Sequence, residues 1–163
     1  MVVAVVLAVA ATSFAQDLSS QRGESQDLGG LFGEKLDHAG IIINPTPQEL
    51  RVLRTVPLDI RKGVVLADGA LEFAADIDFL KHKKRGAMLS IVYGDDAMAQ
   101  DNVTLKSGSY ALNIAPNGIT IKAFDRLGAF YAIQTLRQIV ESPASEDGML
   151  PALSIVDWPD LKY

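Results

Sequence analysis

The sequence of 163 residues contains no cysteine, only two histidines and a single tryptophan. The absence of cysteine excludes disulfides, thiolate metal sites, cysteine nucleophiles and a lipidated N-terminal cysteine in one step. An excess of positive charge is also lacking. The formal net charge is -5 and the sequence pI about 4.9, a balance that repels phosphate backbones and anionic lipid surfaces, so nucleic acid is not an expected partner. Short catalytic motifs are missing as well. No G-x-S-x-G elbow, S-x-x-K, G-x-x-x-x-G-K-[ST] or G-x-G-x-x-G pattern occurs, which leaves nucleophilic hydrolysis and phosphate cradling without support. No cofactor is expected.

What is present suffices for one core. With 48% hydrophobic and 21% charged residues, the chain has the composition of a folded globular protein and the length of one domain. Its first residues stand apart. Val2 to Ala11 is an uncharged apolar run followed by Thr12-Ser-Phe-Ala15, which reads as a signal peptide over residues 1–15, cut between Ala15 and Gln16. The run is too short to span a bilayer, which needs roughly 20 residues. The expected destination is the periplasm or the extracellular space. Residues 16–40, rich in Ser, Gly, Gln and charge and without apolar period, read as a flexible linker.

From Ile41 onward the pattern predicts one α+β domain over 41–156: a single antiparallel or mixed sheet with two helices packed on one face. Strands are expected at Ile41–Ile43, Glu49–Leu53, Gly63–Leu66, Met88–Tyr93 and Leu150–Val156. The clearest stretch is a hairpin. Tyr110, Leu112 and Ile114 alternate, Ala115-Pro-Asn-Gly118 turns the chain, and Ile119, Ile121 and Ala123 alternate again. One helix is predicted from Asp68, with Ala70, Phe73, Ala74, Ile77 and Leu80 inward, ending at Lys81–Arg85 with Gly86 as its left-handed cap. A second starts at Asp125, with Ala129, Phe130, Ile133, Leu136, Ile139 and Val140 buried. Gly128 in its first turns suggests close approach of helix to sheet; alanine there is expected to gain up to about 1 kcal/mol from helix propensity.

Each polar cluster has a bland reading that outweighs a chemical one. His38 lies in the linker and His82 in a cationic segment, neither beside an evident partner. Asp95, Asp96, Asp101 and Asn102 share one loop, but their spacing does not match a calcium loop, so no metal site is expected. Asp95-Asp96 and Glu146-Asp147 sit in polar loops where nothing desolvates a carboxyl group for acid catalysis. Asn102-Val-Thr104 is a glycosylation sequon, meaningful only in a eukaryotic secretory host. No catalytic residue is assigned.

At Tyr110-Ala-Leu-Asn-Ile114, Ile119-Thr-Ile-Lys-Ala123 and Gly128-Ala-Phe-Tyr-Ala-Ile-Gln-Thr-Leu-Arg-Gln138 the sequence resembles the N-terminal, non-catalytic domain of bacterial β-N-acetylhexosaminidases, family 20 of the glycoside hydrolases. The resemblance runs from Ile41 to Tyr163: Ile43-Asn-Pro-Thr-Pro-Gln-Glu49 is similar to the family's first strand, apart from Asn44, and Leu150-Pro-Ala-Leu-Ser-Ile-Val-Asp-Trp-Pro159 to the strand leading into its catalytic barrel. It implies a small antiparallel sheet with two helices. It also implies that terminal N-acetylhexosamine is hydrolysed by an Asp-Glu pair in a downstream barrel, with the substrate's acetamido oxygen as nucleophile. No Asp-Glu dipeptide occurs in this chain. The expected partners are that barrel and, through it, a glycan, with residues 157–163 beginning the connection and Asp157, Trp158 and Pro159 forming the domain interface. Two other readings stay open. A similar domain precedes other carbohydrate hydrolases, such as α-glucuronidases and O-GlcNAc hydrolases, and a stand-alone sugar-binding or scaffold module would show exposed aromatic platforms.

Overall fold

The computed structural model describes residues 40–94, 96–98 and 106–160. The expected signal peptide, most of the expected linker with His38, the loop residues Asp95, Asp101 and Asn102, and the last three residues lie outside them. The described chain is an α+β fold built on a six-stranded mixed sheet, in the order β1, β8, β5, β6, β4, β3. Its strands are β1 (Glu49–Val52), β3 (Val64–Leu66), β4 (Ala87–Tyr93), β5 (Tyr110–Ala115), β6 (Gly118–Ala123) and β8 (Leu153–Asp157). The single sheet of the sequence reading needs correction. β2 (Leu58–Asp59) and β7 (Met149–Leu150) pair antiparallel as a separate two-stranded sheet. Pro151 has no N–H to give a ladder, and the strand expected over 150–156 accordingly divides into β7 and β8.

The hairpin is as the alternation predicts. Ala115 pairs with Gly118 across the two-residue turn Pro116-Asn117, and the ladder runs to Tyr110 opposite Ala123. Leu112 also faces Ile155 of antiparallel β8, whereas β4 runs parallel to both β6 and β3, with Ile91 opposite Ile121. One sheet face is buried. Leu89, Ile91, Leu112, Ile114, Ile119, Ile121, Leu153 and Ile155 point into the core, and the alternate residues Met88, Val92 and Asn113 are exposed. Period two makes this division automatic once register is set.

The buried face is covered by two helical segments of unequal regularity. α2 (Arg126–Glu141) is a 16-residue helix that buries Ala129, Ala132, Ile133, Leu136 and Ile139. Asp125 is its N-cap, accepting from the Gly128 amide at 2.8 Å. At its other end the hydroxyls of Ser142 and Ser145 donate to the Ile139 carbonyl, adding to the bond that oxygen accepts from the Ser142 amide. Phe130, expected among the buried residues, is instead 39% exposed, because it falls one position beyond the inward stripe. α1 is shorter than predicted, covering only Asp68–Leu71, with Ala67 rather than Asp68 at the N-cap. Residues 72–80 continue as tight turns in which Phe73, Ala74, Asp76 and Leu80 donate to the carbonyl three residues back. Ala70, Phe73, Ile77 and Leu80 are nevertheless buried, so the apolar period locates the inward face although the regular helix stops. No helix therefore reaches Gly86.

Ile41–Ile43 forms no strand either. Ile41 is buried, Ile42 is 60% exposed, and the preceding Gly40 carbonyl accepts from the Ala144 amide. Two prolines, Pro45 and Pro47, follow at once and remove ladder donors; the edge position is taken by β1 instead.

Gly128 is close-packed in a way that overturns the expected gain from alanine. A Cβ there would collide with the carbonyl oxygen of Ser109. Backbone lies against backbone at this point, so even a methyl group has no room.

Candidate functional site

The end of β8, the turn before β1 and the outer side of α2 converge on a cleft of about 410 Å³. Asp157, Trp158 and Pro159, the three residues singled out in the sequence, line it together with Gln48, Tyr131 and Gln138. β8 ends at Asp157, and the chain leaves the sheet through Trp158, which is partly exposed. At the cleft floor, Gly108 leaves space that Pro159 and Tyr131 use: a Cβ there would lie 2.9 Å from Pro159 Cγ and 3.1 Å from Tyr131 Cε2.

Several polar groups of this cleft are tied to one another. Asp157 Oδ1 accepts from the backbone amides of Gln48 at 3.2 Å and Trp158 at 3.0 Å, while Oδ2 accepts from the Tyr110 hydroxyl at 3.2 Å. Tyr110 has one proton to donate. With that proton directed at Asp157, the 2.7 Å contact between its oxygen and Thr135 Oγ1 is a hydrogen bond donated by the threonine. Burial pushes the Tyr110 hydroxyl well above the usual phenol range; the bond from Thr135 opposes the shift, and the neighbouring Asp157 charge adds to it. Tyr110 therefore stays protonated. On the rim, Gln138 Oε1 accepts from the Asn44 amide at 2.6 Å. The Asp157 carboxylate is committed to these structural hydrogen bonds, and the other carboxyl group lining the cleft, Asp160, is exposed to solvent, where nothing tunes it for acid catalysis.

The other candidates remain dispersed. His82 Nε2 lies 2.9 Å from the Ile77 carbonyl oxygen, a contact that anchors the turn segment. Asp96, Glu146 and Asp147 are exposed. Among the described residues no group of three His, Cys, Asp or Glu side chains is placed to hold a metal ion, and no described helix is long and apolar enough to cross a membrane.

Sequence reasoning missed part of the surface beside the cleft. Leu127, Phe130 and Tyr131 are 45%, 39% and 41% exposed, and their i, i+3, i+4 spacing places them on one outer stripe of α2. The Phe130 and Tyr131 rings lie 6.2 Å apart. The signal was available in the spacing: α2 carries more large apolar residues than one inward stripe can hold.

The model of a family described as "Glycosyl hydrolase family 20, domain 2" matches residues 40–158. A beta-hexosaminidase of Vibrio vulnificus is 32% identical over 149 residues, which span 88% of this chain and 16% of that protein. An N,N'-diacetylchitobiase of Vibrio harveyi is 48% identical over 58 residues, 36% of this chain and 6% of its own length. The chain thus spans a small fraction of these curated relatives. Among solved structures, a beta-N-acetylhexosaminidase from Bacteroides fragilis aligns with a TM-score of 0.52 at 26% identity, over 76% of this chain and 26% of that one. CpGH84B, with a TM-score of 0.53 at 21% identity over 75% of this chain and 23% of its own, shares the fold alone.

Proposed function

This chain belongs to glycosyl hydrolase family 20, of which it carries domain 2, and on that premise we propose that it serves as the accessory domain of an exported β-N-acetylhexosaminidase. The whole enzyme would remove terminal N-acetylhexosamine from a glycan, the chemistry residing in a catalytic domain outside this sequence. The match over residues 40–158 carries the reading. The relatives named as a beta-hexosaminidase and an N,N'-diacetylchitobiase support the substrate class. The absence of an Asp-Glu pair and the engagement of Asp157 in structural hydrogen bonds support an accessory role.

In this reading Asp157, Trp158 and Pro159 form the interface with the catalytic domain, extended along α2 by Tyr131, Phe130 and Leu127. Three large apolar side chains on one exposed stripe, continuous with a cleft edged by Trp158 and Pro159, suit burial against a second domain. The test compares the 163-residue chain with a longer polypeptide that includes the catalytic domain. The longer form should cleave an aryl N-acetylglucosaminide and the chain alone should not. Amide exchange over 126–134 and 157–160 should slow in the longer form; equal exchange in both would remove this surface from the interface. Amino-terminal sequencing of the exported product should begin at Gln16, and an intact Met1 on the exported protein would rule out the cleavage.

A further inference from the structure

We propose that Asp157 is a positioning residue that assembles the docking cleft, its carboxylate holding the turn before β1 and the departing Trp158–Pro159 segment in register with β5 and α2. The cleft's role as an interface rests on the reading above; the assembly of its walls does not. Three segments distant in sequence meet at this side chain, and a fourth joins through one of them. Gln48 lies 109 residues away in sequence and Tyr110 lies 47 away, while Thr135 of α2 joins through the Tyr110 hydroxyl.

The chemistry calls for a carboxylate at this place. A carboxylate accepts at both oxygens and donates at neither, which suits two amides on Oδ1 and one hydroxyl on Oδ2. The position also matters. Asp157 is the last residue of β8, and its register partners in the sheet end with Tyr110 opposite it; beyond it the chain has no ladder to fix its course. The Trp158 amide, the first past the ladder, is caught by the side chain immediately before it. Gln48 stands at the corresponding place in front of β1, whose own ladder begins with Glu49 opposite Val156. One side chain thus ties down both chain ends where sheet pairing stops. Gln138, through its bond from the Asn44 amide, holds the far side of the same turn to α2, so the wall is fixed at two points.

A purely structural role would spread its effect over the whole domain, whereas this one predicts a local effect. In the 163-residue chain, Asp157→Ala should accelerate amide exchange at Gln48 and Trp158 on the order of tenfold, the scale of losing a charge-assisted hydrogen bond. Exchange in the β5–β6 ladder should change far less. Asp157→Asn keeps an acceptor oxygen for the two amides and an NH2 that can donate to the Tyr110 oxygen, so it should restore much of the protection. Tyr110→Phe removes the hydroxyl alone and should loosen Trp158 less than Asp157→Ala does. Unchanged exchange at Gln48 and Trp158 in Asp157→Ala would overturn the proposal. So would acceleration that is uniform across the sheet, or, if Asp157→Ala does not fold, wild-type exchange at these amides in both milder variants. In the longer polypeptide, a wild-type chain that shows no protected interface would count against the docking role while leaving the local result in place.

Discussion

The two helical segments cover the same face of the sheet and are held there by different means. α2 has its own local supports: a capping aspartate at one end, serine hydroxyls on its terminal carbonyl at the other, and helical residues between. The segment after β3 has no side-chain cap, and only Asp68–Leu71 is regular helix. Its N-cap residue is Ala67, without a side-chain hydrogen bond, and beyond Leu71 its bonds reach mostly three residues back, the tighter and poorer geometry of the 3₁₀ turn. It is held in place from outside, by buried Phe73, Ile77 and Leu80 and by Arg137 of α2. That guanidinium donates to the Asp76 carbonyl and Asp78 carboxylate and lies 4.8 Å from the Phe79 ring centroid. An apolar period therefore selects a face, while caps and local hydrogen bonds decide whether that face belongs to a regular helix.

The largest effect should come from the segment without local support. Phe73 is fully buried, and Phe73→Ala should cost about 3–5 kcal/mol in chemical denaturation; a loss below about 1 kcal/mol would show that the turn segment is not anchored by its core side chains. Next come the two glycines at which each segment meets backbone. A Cβ at Gly128 would strike the Ser109 carbonyl oxygen and one at Gly69 the Ile91 carbonyl oxygen. Each glycine-to-alanine change should cost about 1–3 kcal/mol, and stabilisation by Gly128→Ala would return that position to ordinary helix propensity.

Capping separates the two segments at a smaller scale. Asp125→Ala should cost about 1 kcal/mol and should alter the pH dependence of stability. Burial tends to raise the Asp125 carboxyl pKa, but hydrogen bonds from the Ser107 hydroxyl and from the amides of Gly128, Gly108 and Leu127 outweigh it and hold the group below the ordinary value of 3.8. A carboxylate depressed in the folded state contributes stability that is complete above its unfolded pKa and lost as pH falls through the folded one. Urea midpoints of wild type and Asp125→Ala should therefore converge below about pH 4. A difference that stays constant down to pH 2 would mean that the charge plays no part. The smallest effect is expected at Phe130, whose truncation to alanine should cost less than about 1 kcal/mol in the chain alone. A larger loss would place Phe130 in this domain's own core rather than on its docking stripe.

Much of this protein was legible from local pattern. The β5–β6 hairpin, the α2 cap at Asp125, most inward residues of both helical segments and the family resemblance follow from periods of two and 3.6, from turn chemistry and from short residue strings, whereas Phe130, read as inward, lies on the outer stripe. Tertiary structure alone decided the rest. The parallel placing of β4 between β3 and β6, the separate pairing of β2 with β7, and the carbonyl against Gly128 each depend on backbone groups brought together across long stretches of chain. Asp157, singled out in the sequence as part of an exit segment, acquires its partners Gln48 and Tyr110 only in the folded molecule. A hydrogen bond between distant segments leaves no periodicity in either one, and side-chain burial, which does leave one, identifies the face that turns inward without identifying what it meets.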